Sequence, residues 1–282
     1  MPSSIQSFLR NLLKALLRIL LAATLAIVLM LLFLQHKLIY HPRPYDVPPV
    51  ALNPALVPVP YSTSQGRQQA FYLPPRTLPL RHLWVLFPGN ASRALDWLGF
   101  LEPPPDPRDG YLLIDYPGYG ECRGYASPDN IQESAEAAFA GLAQSLHTEP
   151  ASLEEKMSIL SLSIGCATGL NFAVRHPVDR VILVAPFTSL RDMARRVIGW
   201  PLCWLLVHDF DNRARLRELA ARPHPPRITI FHGDDDMTVP ISMGRALASL
   251  LPGMIDFHAV PGAGHKTVLT GARPDISALM RQ

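Results

Sequence analysis

The chain has 282 residues and a formal net charge of +3. That is length enough for one large α/β domain without requiring two. The charge is too mild, with no lysine- or arginine-rich block and no aromatic-basic stripe beyond the N-terminus, to expect nucleic acid as a partner. Its three cysteines, Cys122, Cys166 and Cys203, form no C-x-x-C and no Cys/His cluster, so zinc and redox chemistry are not expected and no metal or organic cofactor is needed.

Ile19 to Leu34 is uncharged and apolar on every side, which leaves no polar face to meet water and predicts a transmembrane helix. Sixteen helical residues reach about 24 Å, short of a hydrocarbon core of about 30 Å, but the long stems of Lys14 and Arg18 extend the usable length. No small-x-small cleavage site follows Leu34, so the segment reads as an uncleaved anchor. Arg10, Lys14 and Arg18 precede the span and Lys37 and Arg43 follow it. This bias predicts a cytoplasmic N-terminus, with the rest of the chain on the extracytoplasmic side. Residues 1–36 are thus expected to be the N-terminus and anchor, residues 37–60 a proline-rich stalk, and residues 61–282 the folded domain.

Val57 to Tyr61 and Gln68 to Tyr72 alternate around turn residues and predict an antiparallel hairpin at a sheet edge. Leu83 to Phe87 is a short apolar run suited to a buried parallel strand. The turn Pro88-Gly89-Asn90-Ala91-Ser92 follows, with Ser92 expected to cap the next helix. Tyr111 to Asp115 predicts another strand, and Ser127-Pro128 the start of an amphipathic helix reaching about His147. Met157 to Leu162, Arg180 to Pro186, Arg227 to Phe231 and Ile255 to Val260 read as further strands. Residues 188–226 read as a short helical insertion, too small for a separate cap domain. Strands alternating with helices predict a doubly wound, mostly parallel sheet, whose ligands bind beyond the carboxyl ends of the strands.

Ser161-Leu162-Ser163-Ile164-Gly165 joins such a strand to a small-residue helix and matches the G-x-S-x-G nucleophile elbow except for Ser161 in place of the first glycine. The sharp turn of an elbow exposes the middle hydroxyl and aims helix amides at a developing negative oxygen. Ser161, lacking a glycine two residues on and lying within the strand, is the weaker candidate. Asp236 follows the strand ending at Phe231, and His265 lies in Pro261-Gly262-Ala263-Gly264-His265 after the last strand. Both tails leave the sheet on the edge of Ser163, in the chain order Ser, Asp, His. A serine needs an imidazole to take its proton, and the imidazole needs a carboxylate on its other nitrogen. Asp234 and Asp235 compete with Asp236 as turn carboxylates; the spacing to Val239-Pro240 favours Asp236. His232 is expected to hold its own loop, and His258 lies within a strand.

Several unlinked stretches, LIYHPRPYD, LFPGNAS, LLIDYPGYGECRG, SLSIGCATG, APFTSLRDMA, HGDDDMTVP and VPGAGH, together resemble the α/β-hydrolases, most of all the membrane-anchored bud-emergence-type serine hydrolases. The resemblance runs from about Leu38 to the C-terminus. It implies an α/β-hydrolase fold with Ser163 as nucleophile, Asp236 as acid, His265 as base, and the backbone N–H groups of Asn90 and Ile164 as oxyanion hole. Ser161, Pro88 and Cys122 depart from the family pattern, which expects Gly, His and Ser there. The expected activity is hydrolysis of carboxylic esters or thioesters through an acyl-enzyme, with a small-molecule or acyl-lipid-like substrate reached from the membrane and Trp200, Trp204 and Leu205 lining either an acyl channel or the core. An amidase or peptidase of the same fold, and a non-catalytic binding module, are the alternatives. Oligomeric state and the pairing of the cysteines are left open.

Overall fold

The computed structural model of the protein describes residues 3–282; residues 1 and 2 of the expected cytoplasmic N-terminus lie outside the described residues. Helix α1 runs from Ser3 to Phe33, and its apolar span of 28 residues, Gln6–Phe33, is not buried against the rest of the chain. At about 1.5 Å per residue this span is about 42 Å long, so helix continues well before the uncharged run that begins at Ile19. A break at Leu34 leads into α2, Gln35–Ile39.

Eight strands form one sheet in the order β1-β2-β4-β3-β5-β6-β7-β8. The antiparallel part is the hairpin β1 (Val57–Thr63) and β2 (Gly66–Leu73) with its neighbour β4 (Gly110–Ile114). From β4 onward β3 (Leu83–Phe87), β5 (Met157–Leu162), β6 (Arg180–Val184), β7 (Arg227–Gly233) and β8 (Ile255–Val260) pair in parallel. The fold is the doubly wound α/β architecture expected from the strand-helix alternation. Pro58 and Pro60 sit on β1, an edge strand, where a missing N–H is tolerated.

Side chains alternate through the central strands. Val85, Ile159, Val181 and Leu183 face one apolar layer, and Trp84, Leu86, Leu160 and Ile182 face the other. Both faces are therefore covered, which is why these strands read as continuous apolar runs. The first layer is closed by α3 (Pro128–Ser145), α4 (Ile164–Ala173), α6 (Asn212–Ala220) and α7 (Ile241–Ala248), and the second by residues 94–101 and α8 (Arg273–Met280). Helix α5 (Leu190–Ile198) lies in the insertion and buries none of its residues fully. Ser127 caps α3 as expected, its Oγ accepting from the Asn130 N–H at 3.1 Å.

The segment expected to be a stalk lies against the domain instead. Tyr40 and Leu56 are buried, the Tyr45 hydroxyl donates to Asp115 at 2.6 Å, and the Arg43 carbonyl accepts from Gly120 N–H at 2.9 Å. Prolines remove ladder donors, but the tyrosines between them carry large apolar faces with one polar tip, and these dock. The first strand starts at Val57, where the hairpin reading put it, inside the range assigned to the stalk. Ser92 is not a helix cap either: the turn Ala94–Trp97 starts after Arg93, whose N–H donates to the Asp96 carboxylate at 2.8 Å. Trp200 and Trp204 are 71% and 64% exposed, so neither belongs to the core.

His176 sits between two carboxylates, Nδ1 at 2.7 Å from Glu154 and Nε2 at 2.8 Å from Glu136, stacked on Phe172. Burial disfavours its cation, but the two glutamates outweigh burial and raise its pKa above the ordinary imidazole value. A raised pKa means stabilisation that is complete below the unfolded value and lost as pH rises through the folded one. His176→Gln is therefore expected to destabilise the full chain by about 1–2 kcal/mol at pH 5.5–6 and by much less at pH 9. Denaturant melts of both proteins in the same detergent across that range check it; a pH-independent difference would sink the clamp.

Candidate active site

Strand β5 ends at Leu162 and α4 begins at Ile164, leaving Ser163 alone on the turn with φ 56° and ψ −118°. A non-glycine residue rarely holds this left-handed backbone. It is held here because the Ser163 N–H donates to the Val184 carbonyl on β6 at 2.8 Å, while Gly165 lets α4 close against β3. A Cβ on Gly165 would stand 2.3 Å from the Phe87 carbonyl oxygen and 2.6 Å from that of Pro88. The requirement for a small residue two past the serine is thus met by the one residue type that fits.

Ser161, the rival serine, is buried in β5 with its hydroxyl donating to the Ile182 carbonyl at 3.2 Å. Gly is dispensable at this position because a serine side chain finds room and a partner within the sheet. Ser163 Oγ instead lies 2.9 Å from His265 Nε2, and His265 Nδ1 lies 2.7 Å from Asp236 Oδ2. An ionised carboxylate can only accept, so Nδ1 carries the hydrogen and Nε2 is left to accept from the serine hydroxyl.

Asp236 is fixed on its other oxygen, Oδ1 accepting from Thr238 N–H at 2.9 Å and Val239 N–H at 2.8 Å. Burial opposes its charge, but the hydrogen bonds from His265, Val239 and Thr238 outweigh burial and hold the carboxyl below the ordinary carboxylate range. Its loop and that of His265 touch closely: a Cβ on Gly233 would meet the Ala263 carbonyl oxygen at 2.0 Å. His232 supports the same loop, its Nε2–H donating to the Val239 carbonyl at 2.8 Å, and burial lowers its pKa so that the ring stays neutral. Asp234 and Asp235 are exposed, with Asp234 accepting from Gly262 N–H at 2.7 Å. His258 lies in β8, stacked on Phe231 and paired with Asp256.

Asn90 and Ile164 sit where the ends of β3 and β5 meet, a Cβ on Gly89 being 3.4 Å from the Leu162 side chain. Among the described residues, neither the Asn90 nor the Ile164 amide N–H donates a backbone hydrogen bond outside the regular elements. Pro88, where a histidine was expected, offers its carbonyl to the Tyr116 hydroxyl at 2.7 Å, so the turn is held without a side-chain contribution from position 88.

The turn has supports that sequence reasoning did not find. The Asn90 side chain accepts from Tyr119 OH at 2.8 Å and from His41 N–H at 3.0 Å, and donates to the Ile39 carbonyl at 2.6 Å. Asp115, fully buried, accepts from Ala94 N–H at 2.7 Å and from Tyr45 OH, and burial pushes its pKa up to about 6. The only hint in the sequence is the crowding of Tyr, Pro and Gly after the strand ending at Asp115. Cys122, Cys166 and Cys203 are buried free thiols, and burial pushes the first two up to about 12, leaving them uncharged at neutral pH. Among the described residues no group of three His, Cys, Asp or Glu could hold a metal ion.

No family model matches the chain. It is 29% identical over 243 residues to an uncharacterized protein of Mycobacterium tuberculosis, covering 82% of this chain and 80% of that one. It is 29% identical over 200 residues to the alpha/beta hydrolase domain-containing protein aho-3 of Caenorhabditis elegans, covering 68% of this chain and 55% of the relative. Human alpha/beta hydrolase domain-containing protein 17B is 29% identical over 154 residues, 55% of this chain and 49% of that protein; the chain spans about half the length of these last two relatives. Among solved structures, an esterase from Pyrococcus furiosus superposes with a TM-score of 0.63 at 12% identity, covering 86% of this chain and 96% of that one. An alpha-beta hydrolase from Vibrio vulnificus superposes with a TM-score of 0.61 at 16% identity, covering 81% and 82%. Such identities speak to the fold alone.

Proposed function

Because this chain belongs to the α/β-hydrolase superfamily, we propose that it is a membrane-anchored serine hydrolase cleaving carboxylic esters or thioesters of acyl-lipid-like substrates through an acyl-enzyme. The observation that carries the reading is the relay from Ser163 Oγ to His265 Nε2 at 2.9 Å and from His265 Nδ1 to Asp236 at 2.7 Å. His265 takes the serine proton as Oγ attacks the acyl carbon, and Asp236 stabilises the imidazolium so formed. The amides of Asn90 and Ile164 hold the oxyanion, helped by the positive end of α4. When the tetrahedral species collapses, His265 returns the proton to the departing alcohol or thiol. A water molecule, deprotonated by the same imidazole, then releases the acid and restores Ser163.

A fluorophosphonate probe on the purified full chain is the direct test. One adduct, mapped to the peptide holding Ser163, together with turnover of p-nitrophenyl esters, is the expected result. Turnover of aminoacyl anilides in preference to esters would move the reading to an amidase or peptidase, and no adduct at all would leave a binding module. Residues 1–36 as the anchor and an extracytoplasmic domain complete the proposal; a reporter after Gln282 that behaves as cytoplasmic overturns that orientation.

A further inference from the structure

An apolar cavity of about 240 Å³ opens between the end of the anchor and the helical insertion. Leu31, Leu38 and Ile39 form one wall and Leu190, Ala194 and Leu205 the other. Gln35 is the only lining residue with a polar side chain, and its amide is fully engaged: Nε2 donates to the Leu205 carbonyl at 2.8 Å, and Oε1 accepts from Val207 N–H at 2.7 Å and His208 N–H at 3.1 Å. The glutamine is buried, so it fixes the spacing of the two walls and leaves no polar group for a ligand to satisfy.

The outer end of this slot is continuous with α1, whose apolar span stands uncovered by protein. Its inner end reaches the turn after β3 through Ile39, which lines the cavity and whose carbonyl accepts from the Asn90 side chain at 2.6 Å. One end of the slot thus adjoins the uncovered apolar span of α1, and the other adjoins the segment that holds the Asn90 side chain. We propose that this cavity is the acyl subsite, taking the hydrocarbon chain of an ester or thioester directly from the bilayer, with the anchor helix serving as one of its walls. The assignment rests on the hydrolase reading above and adds the route and chemistry of the substrate. A lining whose one polar side chain is already satisfied selects chain length, since each methylene buried is worth about fourfold in binding.

The test uses the full chain in lipid nanodiscs, with p-nitrophenyl butyrate and octanoate, and separately a diazirine-bearing palmitic acid. The wild type is expected to favour octanoate over butyrate in kcat/KM by at least about tenfold. Ala194→Phe, which puts a ring into the slot, is expected to erase most of that ratio. Val197 also lines the cavity and is 81% exposed; Val197→Trp crowds the mouth and serves should the Phe variant not fold. Photolabel is expected on peptides covering residues 31–39 and 190–206, and to be lost in either variant. An unchanged chain-length ratio with photolabel only on residues 19–30 overturns the subsite. Should no ester be turned over and no fluorophosphonate adduct form, the hydrolase reading fails, and the photolabel alone decides whether the slot holds an acyl chain.

Discussion

Ser163→Ala is expected to lower kcat for ester hydrolysis on the order of 10⁶-fold, to the level left by binding and oxyanion contacts. His265→Ala should cost about as much, and the double variant no more than either, because the two side chains act as one unit: a hydroxyl without its base and a base without its hydroxyl are equally idle. Asp236→Asn is expected to cost about 10⁴-fold. The amide would keep accepting from Thr238 and Val239, yet its NH₂ would face Nδ1 and drive the hydrogen to the other ring nitrogen, where it blocks proton transfer from Ser163. Steady-state kinetics on one activated ester, with intact-mass detection of the acylated chain, checks all four. Retention of activity within tenfold by Ser163→Ala would remove this serine from the reaction.

The second large effect is expected at a residue whose side chain is engaged within the chain itself. Asn90→Ala should lower kcat by about 10²–10³-fold with a small change in KM, the signature of a weakened oxyanion donor. Its side chain joins Tyr119 OH, His41 N–H and the Ile39 carbonyl, so truncation frees the turn that aims the Asn90 amide. Tyr119→Phe, which removes one of those bonds, should cost about tenfold by the same route. Circular dichroism and thermal melts of each variant separate aiming from unfolding. A rise in KM at constant kcat would show that Asn90 contributes only to binding.

The elements that were legible in the sequence are those whose signal is local. Continuous apolar runs announced β3 to β7, since strands covered on both faces have no polar side. The convergence of Ser163, Asp236 and His265 was legible for a related reason: each follows such a run, and parallel strands put their carboxyl ends on one edge. The packing of residues 37–56 against the domain was not legible. Their prolines say only that no regular ladder can form, whereas the docking of Ile39, His41 and Tyr45 depends on partners at Asn90 and Asp115 far along the chain. Of the two places left open for Trp200 and Trp204, the core is excluded for the opposite reason. A tryptophan in a helical insertion looks like core material until the surrounding surface is known. The supports of the Asn90 turn were hidden because each is a contact between distant segments with no period or spacing to betray it.

One flank of the sheet has a further consequence under the proposed membrane tether, which would confine copies to a plane where they collide far more often than in free solution. An unpaired β edge invites a neighbour to zip onto it. Pro58 and Pro60 withhold two amides from the outermost strand, so no partner can complete a regular ribbon there. Crowding on a lipid surface should accordingly give no ribbon that runs through β1, since only the opposite edge, β8, has a strand free of proline.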